Sequence, residues 1–227
     1  MPTLIISANS GADVASADDT FISGAAAEQS TNFGTATILR IRGGADETTR
    51  RTLLRFELSG ILALLPAGAI INACRIKLWT HGNTGAGIPD MHVHRSNKAW
   101  VEAQATWLIY ATATNWGTSG SSGAGVDLVG TIESSTGAMA SLVGGSAQPD
   151  HTINTFEGNA TMVAYIDDVV NGDEDETHVK FILSSSTNTT NRFCSSDNAD
   201  DGFRPQLEID YYVPGGIYLM LEQNLGM

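Results

Sequence analysis

The residues best suited to chemistry are cations on strand-like segments. Arg40 and Arg42 are two apart, so an extended backbone puts them on one face, with Leu39 and Ile41 on the other. Arg55 points away from Thr52, Leu54, Phe56 and Leu58 in the same way, and Arg75 and Lys77 point away from Cys74, Ile76 and Leu78. If these outward faces belong to one sheet, the five cations line one surface. Guanidinium groups grip carboxylates with a two-pronged fork, which is the chemistry that recognition of a uronate sugar requires. Trp79 shares the face of Arg75 and Lys77 and is placed to stack on a sugar ring. Trp116, between Asn115 and Gly117 in a polar stretch, is a second stacking candidate, whereas Trp100 and Trp107 read as buried packing. The plainer account of the cations is surface pairing with Glu57 and other acids, each pair contributing about 0–1 kcal/mol.

Carboxylates suggest a second chemistry. Asp197, Asp200 and Asp201 lie in an oxygen-rich loop, and Asp18 and Asp19 form another acidic pair. Calcium takes six to eight such oxygens, so a structural calcium is the one cofactor the sequence leaves open. His92 and His94 share a strand face, but no further ligand is evident. No Gly-x-Ser-x-Gly elbow, His-Glu-x-x-His helix or phosphate loop is present. Neighbouring carboxylates on a strand face opposite ways, so neither Asp18/Asp19, Asp167/Asp168 nor Asp200/Asp201 is itself a catalytic pair. The expectation is a non-enzymatic protein with no catalytic residues.

The elements that carry these groups are short apolar runs separated by Gly, Ser, Asn and Asp. Strands are expected at Leu4–Ile6, Thr20–Ile22, Ile38–Arg42, Arg51–Leu58, Ile70–Trp79, Met91–Arg95, Val126–Ile132, His178–Leu183 and Gln206–Val213. Several alternate with period two, as half-buried antiparallel strands do. Asn159–Val170 breaks the pattern, with Met162, Val163, Ile166, Val169 and Val170 at helical spacing, Asn159 or Thr161 to cap the start and Gly172 to end it. The fold class expected is therefore all-β, an antiparallel β-sandwich with one short α-helix. The domain is expected over 12–213, with an N-terminal extension at 1–11 and an apolar tail at 214–227.

The ordered segments Asp19–Ser23, Asn32–Thr37, Arg51–Ser59, Pro66–Ile71, Lys77–Trp79, Trp100–Glu102 with Thr106–Trp107, Asn115–Gly117, Phe193–Ser196 and Arg204–Tyr211 together resemble the disaggregatase-related (DNRLRE) domain family. Members of that family include carbohydrate-binding modules for alginate-like acidic polysaccharides. The resemblance spans about residues 18–213 and implies a jelly-roll β-sandwich.

Charge and the chain ends bound the partners. The chain of 227 residues has a formal net charge of −13, and only 16% of its residues are charged, below the ~25% usual in globular proteins. Its surface must therefore rest on Ser, Thr, Asn and Gly. Residues 1–98 hold nine basic and eight acidic side chains, so the deficit lies after residue 99. Nothing would neutralise phosphates, which argues against nucleic acid, and no apolar run reaches a membrane span. Cys74 and Cys194 are too few for a disulfide scaffold and are expected to be reduced. Met1–Ser7 lacks the basic start and long apolar run of a secretion signal. Ile217, Tyr218, Leu219, Met220 and Leu221 form an apolar tail that must cover its own domain or insert into a partner. A surface-type module without an export signal reaches the outside through host lysis. The first expectation is therefore a virion decoration protein, a homo-oligomer or lattice component assembled through its apolar ends. The alternative is an extracellular carbohydrate-binding module for an acidic (uronate) polysaccharide, and a polysaccharide hydrolase or lyase ranks third.

Overall fold

A computed structural model describes residues 1–8, 11–15, 17–44, 47–82, 87, 89–143, 145, 148–172 and 177–214, without the side chains of Val14 and Ala15. The tail residues Ile217–Leu221 lie outside the described residues. The strands are β1 (Thr3–Ser7), β2 (Val14–Ala15), β3 (Asp18–Ser23), β4 (Ile38–Ile41), β5 (Arg50–Glu57), β6 (Ile70–Trp79), β7 (Met91–Arg95), β8 (Ile109–Ala111), β9 (Thr114–Asn115), β10 (Ala140–Leu142), β11 (Ile153–Glu157), β12 (His178–Ser185), β13 (Asn191–Cys194) and β14 (Gln206–Tyr212). Two helices, α1 (Ile61–Leu64) and α2 (Ala160–Asn171), and a 3-10 turn at Asp201–Phe203 complete the described elements.

The strands form two five-stranded sheets, ordered β11-β6-β14-β1-β2 and β10-β7-β12-β5-β3, and two two-stranded ribbons, β13-β4 and β8-β9. Taking β1, β5, β6, β7, β10, β11, β12 and β14 as first to eighth, the sheets read 1-8-3-6 and 2-7-4-5. The first strand lies beside the last, and the chain crosses between sheets at every step but that from the fourth strand to the fifth, which is the jelly-roll arrangement of two Greek keys. The β1–β2 pair is parallel and the other strand pairs of the two sheets are antiparallel.

Period-two alternation builds the core. Leu4, Ile6, Cys74, Ile76, Leu78, Phe156, Leu207 and Ile209 of the first sheet meet Leu54, Phe56, Met91, Val93, Val179, Phe181 and Leu183 of the second. Within the expected N-terminal extension, Thr3–Ser7 is therefore not an appendage: β1 is an inner strand, flanked by β14 and β2. Helix α2 adds Met162, Tyr165, Ile166, Val169 and Val170 to the same core. Asn159 accepts from the N–H groups of Thr161 and Met162 at its start, and Gly172 ends it at φ 76°. The four-residue α1 is an addition to the single helix expected.

The outer face of the second sheet is apolar too. Ile22, Leu53 and Ile182 point outward and are covered by Trp100, Ala105, Trp107, Trp116 and Leu128. The long covering segment, residues 97–133, has turns where a strand was expected at Val126–Ile132. Asp127 organises it: fully buried, its carboxylate accepts from the backbone N–H groups of Gly117, Thr118 and Gly123 at 2.7–2.9 Å. A loop with too few apolar residues for a core of its own is held by one buried carboxylate and packs three tryptophans on the sheet.

Candidate functional site

The β4–β13 ribbon bridges the two sheets at one end. It touches β5 through the Arg42–Arg50 bridge and the end of β6 through a Thr80–Phe193 bridge. Leu39, Ile41 and Phe193 enter the core, so alternation sends Arg40, Arg42 and Arg192 the other way. Register then does something that spacing could not show. Arg40 is paired directly with Arg192, and Arg42 directly with Arg50. With Thr190, these four arginines line a cavity of about 160 Å³.

Each arginine is held differently. The Arg40 guanidinium lies 5.1 Å from the Phe21 ring centre, and Phe21 stacks on Phe33 at 4.1 Å. Its Nε is buried and meets no hydrogen-bond acceptor among the described residues. Arg42 Nε donates to the neutral Asn188 Oδ1 at 2.7 Å. Arg50 pairs with Glu28 at 2.9 Å. Burial, and then the charges of Arg40 and Arg42, pull the Arg50 guanidinium below its ordinary pKa despite Glu28. Arg192 stands exposed at the rim. Like charges placed directly across a ladder are destabilising, so two such pairs on one face form a positive socket that an anion would relieve.

The other cations expected on this surface are elsewhere, because β4, β5 and β6 belong to three different sheets. Arg55 lies on the outer face of the second sheet. It pairs with Asp18, donates to the Trp100 carbonyl and sits 5.2 Å from the Trp100 ring. Arg75 and Lys77 lie on the outer face of the first sheet, where Arg75 meets Glu208 at 2.7 Å and Asp210 at 2.9 Å, and Lys77 meets Glu208 at 2.5 Å. Glu208 and Asp210 foremost raise the Arg75 pKa by hydrogen bonds and charge. Trp79 is buried at 7% exposure, and so is Trp116 at 4%, its Nε1 donating to the Thr106 carbonyl at 2.8 Å. Neither offers a face to a sugar. Arg50 and Arg192 are members of the socket that sequence reasoning missed, since only the register brings them there.

The acidic candidates partly converge. Asp19 is buried, and its Oδ2 accepts from Ser196 N–H at 2.7 Å, which ties β3 to the Asp197 loop. Asp19 N–H in turn donates to Glu102 Oε1 at 2.8 Å. Burial, then the charges of Glu102 and Asp197, push the Asp19 carboxyl well above the ordinary value. Burial likewise raises Glu102. Asp18 is taken by Arg55, Asp200 caps the 3-10 turn through Gly202 N–H, and Asp201 begins that turn. Among the described residues no three carboxylates bring their oxygens within 4.8 Å of one another.

His94 is fully buried with Nδ1 on the Val129 carbonyl, while His92 Nδ1 meets Ser141. Cys74 and Cys194 are both buried and unbridged. Burial pushes their thiols up to about 12 and about 11, so neither is the thiolate that nucleophilic catalysis needs.

The family model described as carbohydrate-binding module family 96 matches residues 10–119. This stretch runs from β2 through β9 and includes Arg40, Arg42 and Arg50. The match supports a carbohydrate-binding-module-like domain, a wider statement than membership of the disaggregatase-related family. No curated protein matches the chain.

Proposed function

We propose that this protein is a non-catalytic carbohydrate-binding module for an acidic polysaccharide, and that the socket of Arg40, Arg42, Arg50 and Arg192 takes the sugar carboxylate. The observation that carries the reading is the double like-charge pairing, Arg40 opposite Arg192 and Arg42 opposite Arg50. Cations are opposed once more at Arg55 and Lys180, where Asp18 offsets Arg55, but among the described residues only here do two such pairs share one face, and a bound carboxylate accepts from several guanidinium groups at once. At about 30 Å³ per water, the 160 Å³ cavity has the room of about five waters. That suits one acidic group and the edge of its ring, with the polymer lying across the open rim. The match to a carbohydrate-binding family over residues 10–119, which takes in Arg40, Arg42 and Arg50 but not Arg192, supports the reading. The assembly reading depends on Ile217–Leu221, which lie outside the described residues, and no described feature favours it.

Calorimetric titration with oligouronate and with a neutral oligosaccharide of equal length tests the proposal. The uronate should bind, more weakly as salt rises, and the neutral sugar should not. Charge-assisted hydrogen bonds contribute about 1.5–3 kcal/mol each, so the Arg40→Gln/Arg42→Gln double variant should lose at least about tenfold in affinity. A folded double variant that bound uronate as the parent does would refute it.

A further inference from the structure

We propose that His81, His151 and Cys194 form a zinc site at the end of the sandwich where β6, β11 and β13 meet. The three side chains come from distant parts of the chain, and the backbone brings each into place. The β6–β11 ladder pairs Ile153 with Trp79 and continues outward through Thr80 N–H to the Thr152 carbonyl and His151 N–H to the Thr80 carbonyl. That continuation sets His81 opposite His151. The Thr80–Phe193 bridge, with His81 N–H on the Arg192 carbonyl, draws in β13 and with it Cys194.

One ligand atom from each of the three residues lies within 4.8 Å of the others. Zinc bonds of ~2.3 Å to sulfur and ~2.0 Å to nitrogen at a tetrahedral angle place those two atoms about 3.5 Å apart. Cys194 Sγ and His81 Nδ1 are 3.7 Å apart. The donor set is one thiolate and two imidazoles, which zinc accepts and calcium or magnesium does not. Three protein ligands leave one position to water.

Two further observations fit a prepared site. His151 holds a left-handed backbone at φ 59°, a conformation uncommon outside glycine and one that clusters at functional positions. Its ring is steadied by parallel stacking on Phe203 at 3.9 Å. The neighbouring Asp150 carboxylate takes Gly82 N–H at 2.7 Å on one oxygen and presents the other 3.9 Å from His151 Nε2. At that distance the carboxylate is beyond hydrogen-bond reach and acts on the His151 ring through its charge alone. Cys194 is fully buried while His151 is exposed, so the ion has an approach from solvent and the sulfur does not. On binding, the thiol proton leaves to solvent as the sulfur–metal bond forms. The bound ion would pin β13, and with it Arg192, to the β6–β11 end.

The alternative is a plain thiol–imidazole contact with no metal. The full chain, stripped with chelator and titrated with Co(II) and with Zn(II), separates the two. Expected are one equivalent of Co(II) with a thiolate-to-cobalt charge-transfer band in the near ultraviolet, its displacement by Zn(II), and a Tm that rises with Zn(II). Cys194→Ser and His81→Ala should each abolish the band and weaken metal binding at least about 100-fold, and Cys74→Ser should keep the band. Circular dichroism of the metal-free variants controls for folding. If Cys194→Ser does not fold, His81→Ala and His151→Ala carry the test through the same band. Absence of the band, or its survival in Cys194→Ser or His81→Ala, overturns the proposal, as does a Zn(II)-induced Tm rise without the band.

Discussion

Trp116 separates a tryptophan that holds the fold from one that holds a sugar. Its side chain is 4% exposed and packs in the layer over Ile22, Leu53 and Ile182. Its ring meets Tyr110 at 5.4 Å, and its Nε1 donates to the Thr106 carbonyl at 2.8 Å. Trp116→Phe keeps most of the packing and removes the donor. An unsatisfied buried carbonyl costs about 1–3 kcal/mol, and at this chain length each kcal/mol lowers Tm by about 2–4 °C. Trp116→Ala removes the whole ring, and such truncations cost about 3–5 kcal/mol. Calorimetry of unfolding should show the phenylalanine variant losing stability and the alanine variant losing more. Uronate affinity of the folded phenylalanine variant should stay within about twofold, since nothing at the arginine socket depends on that ring. A tenfold loss of affinity in Trp116→Phe with an unchanged Tm would refute this account and make Trp116 a sugar contact.

Asp19 and Arg75 give two further tests. Burial raises the Asp19 pKa in the fold above its ordinary 3.8, so its contribution to stability is complete below about pH 3.8 and is lost as pH rises through the folded value. Asp19→Asn keeps an oxygen for Ser196 N–H. The variant should therefore be more stable than the parent at pH 7, by about 1.4 kcal/mol for every pH unit between the two pKa values, with the gain vanishing in acid. Denaturant unfolding at both pH values reads this, and a loss of stability at pH 7 would refute it. Arg75→Ala removes one partner from each of the largely buried Glu208 and Asp210 carboxylates, leaving Lys77 on Glu208 and Thr3 on Asp210. It should cost about 1–3 kcal/mol, discounted for partial exposure, while uronate titration stays unchanged. A fall in uronate affinity would return Arg75 to the binding surface.

Legibility followed the strength of alternation. β5, β6, β12 and β14 carry a clear apolar face, and the sequence locates them to within a few residues. Helix α2 shows its cap, its apolar stripe and its terminal glycine. β11 and β13 are short, and Asn and Thr in β11 and Asn and Arg in β13 interrupt their apolar positions, so they read as loop. Their identity as strands comes from the partners they find in β6 and β4. The stretch 126–132 misled in the opposite sense, since Val126, Leu128, Val129 and Ile132 resemble a strand. Asp127, buried as a hub for three backbone N–H groups, makes it a turn. The site was legible to the same depth. That Arg40 and Arg42 share a face follows from spacing alone. That Arg50 and Arg192 oppose them follows from register, which no local pattern encodes. The five-cation strip assumed that neighbouring strands in sequence share a sheet, and in a jelly roll the chain crosses between sheets instead.

The same comparison bears on which cations are functional. The chain has 12 Lys and Arg residues, and most serve as internal clamps. Arg51, Arg55, Arg95 and Lys98 lie over Trp107, Trp100, Tyr165 and Tyr110. Arg75 and Lys77 hold Glu208, Arg204 grips the carbonyls of Asn198 and Ala8, and Lys180 is buried. Arg40, Arg42 and Arg50 have partners too, in Phe21, Asn188 and Glu28, but with Arg192 they face one another across two ladders. In a chain with so few cations, that concentration weighs more than the net charge of −13. At physiological ionic strength charges are screened beyond about 8 Å, so a carboxylate seated in the socket responds mainly to the groups close around it. The net charge of −13 is therefore compatible with an acidic polysaccharide gripped locally, one sugar carboxylate in the socket.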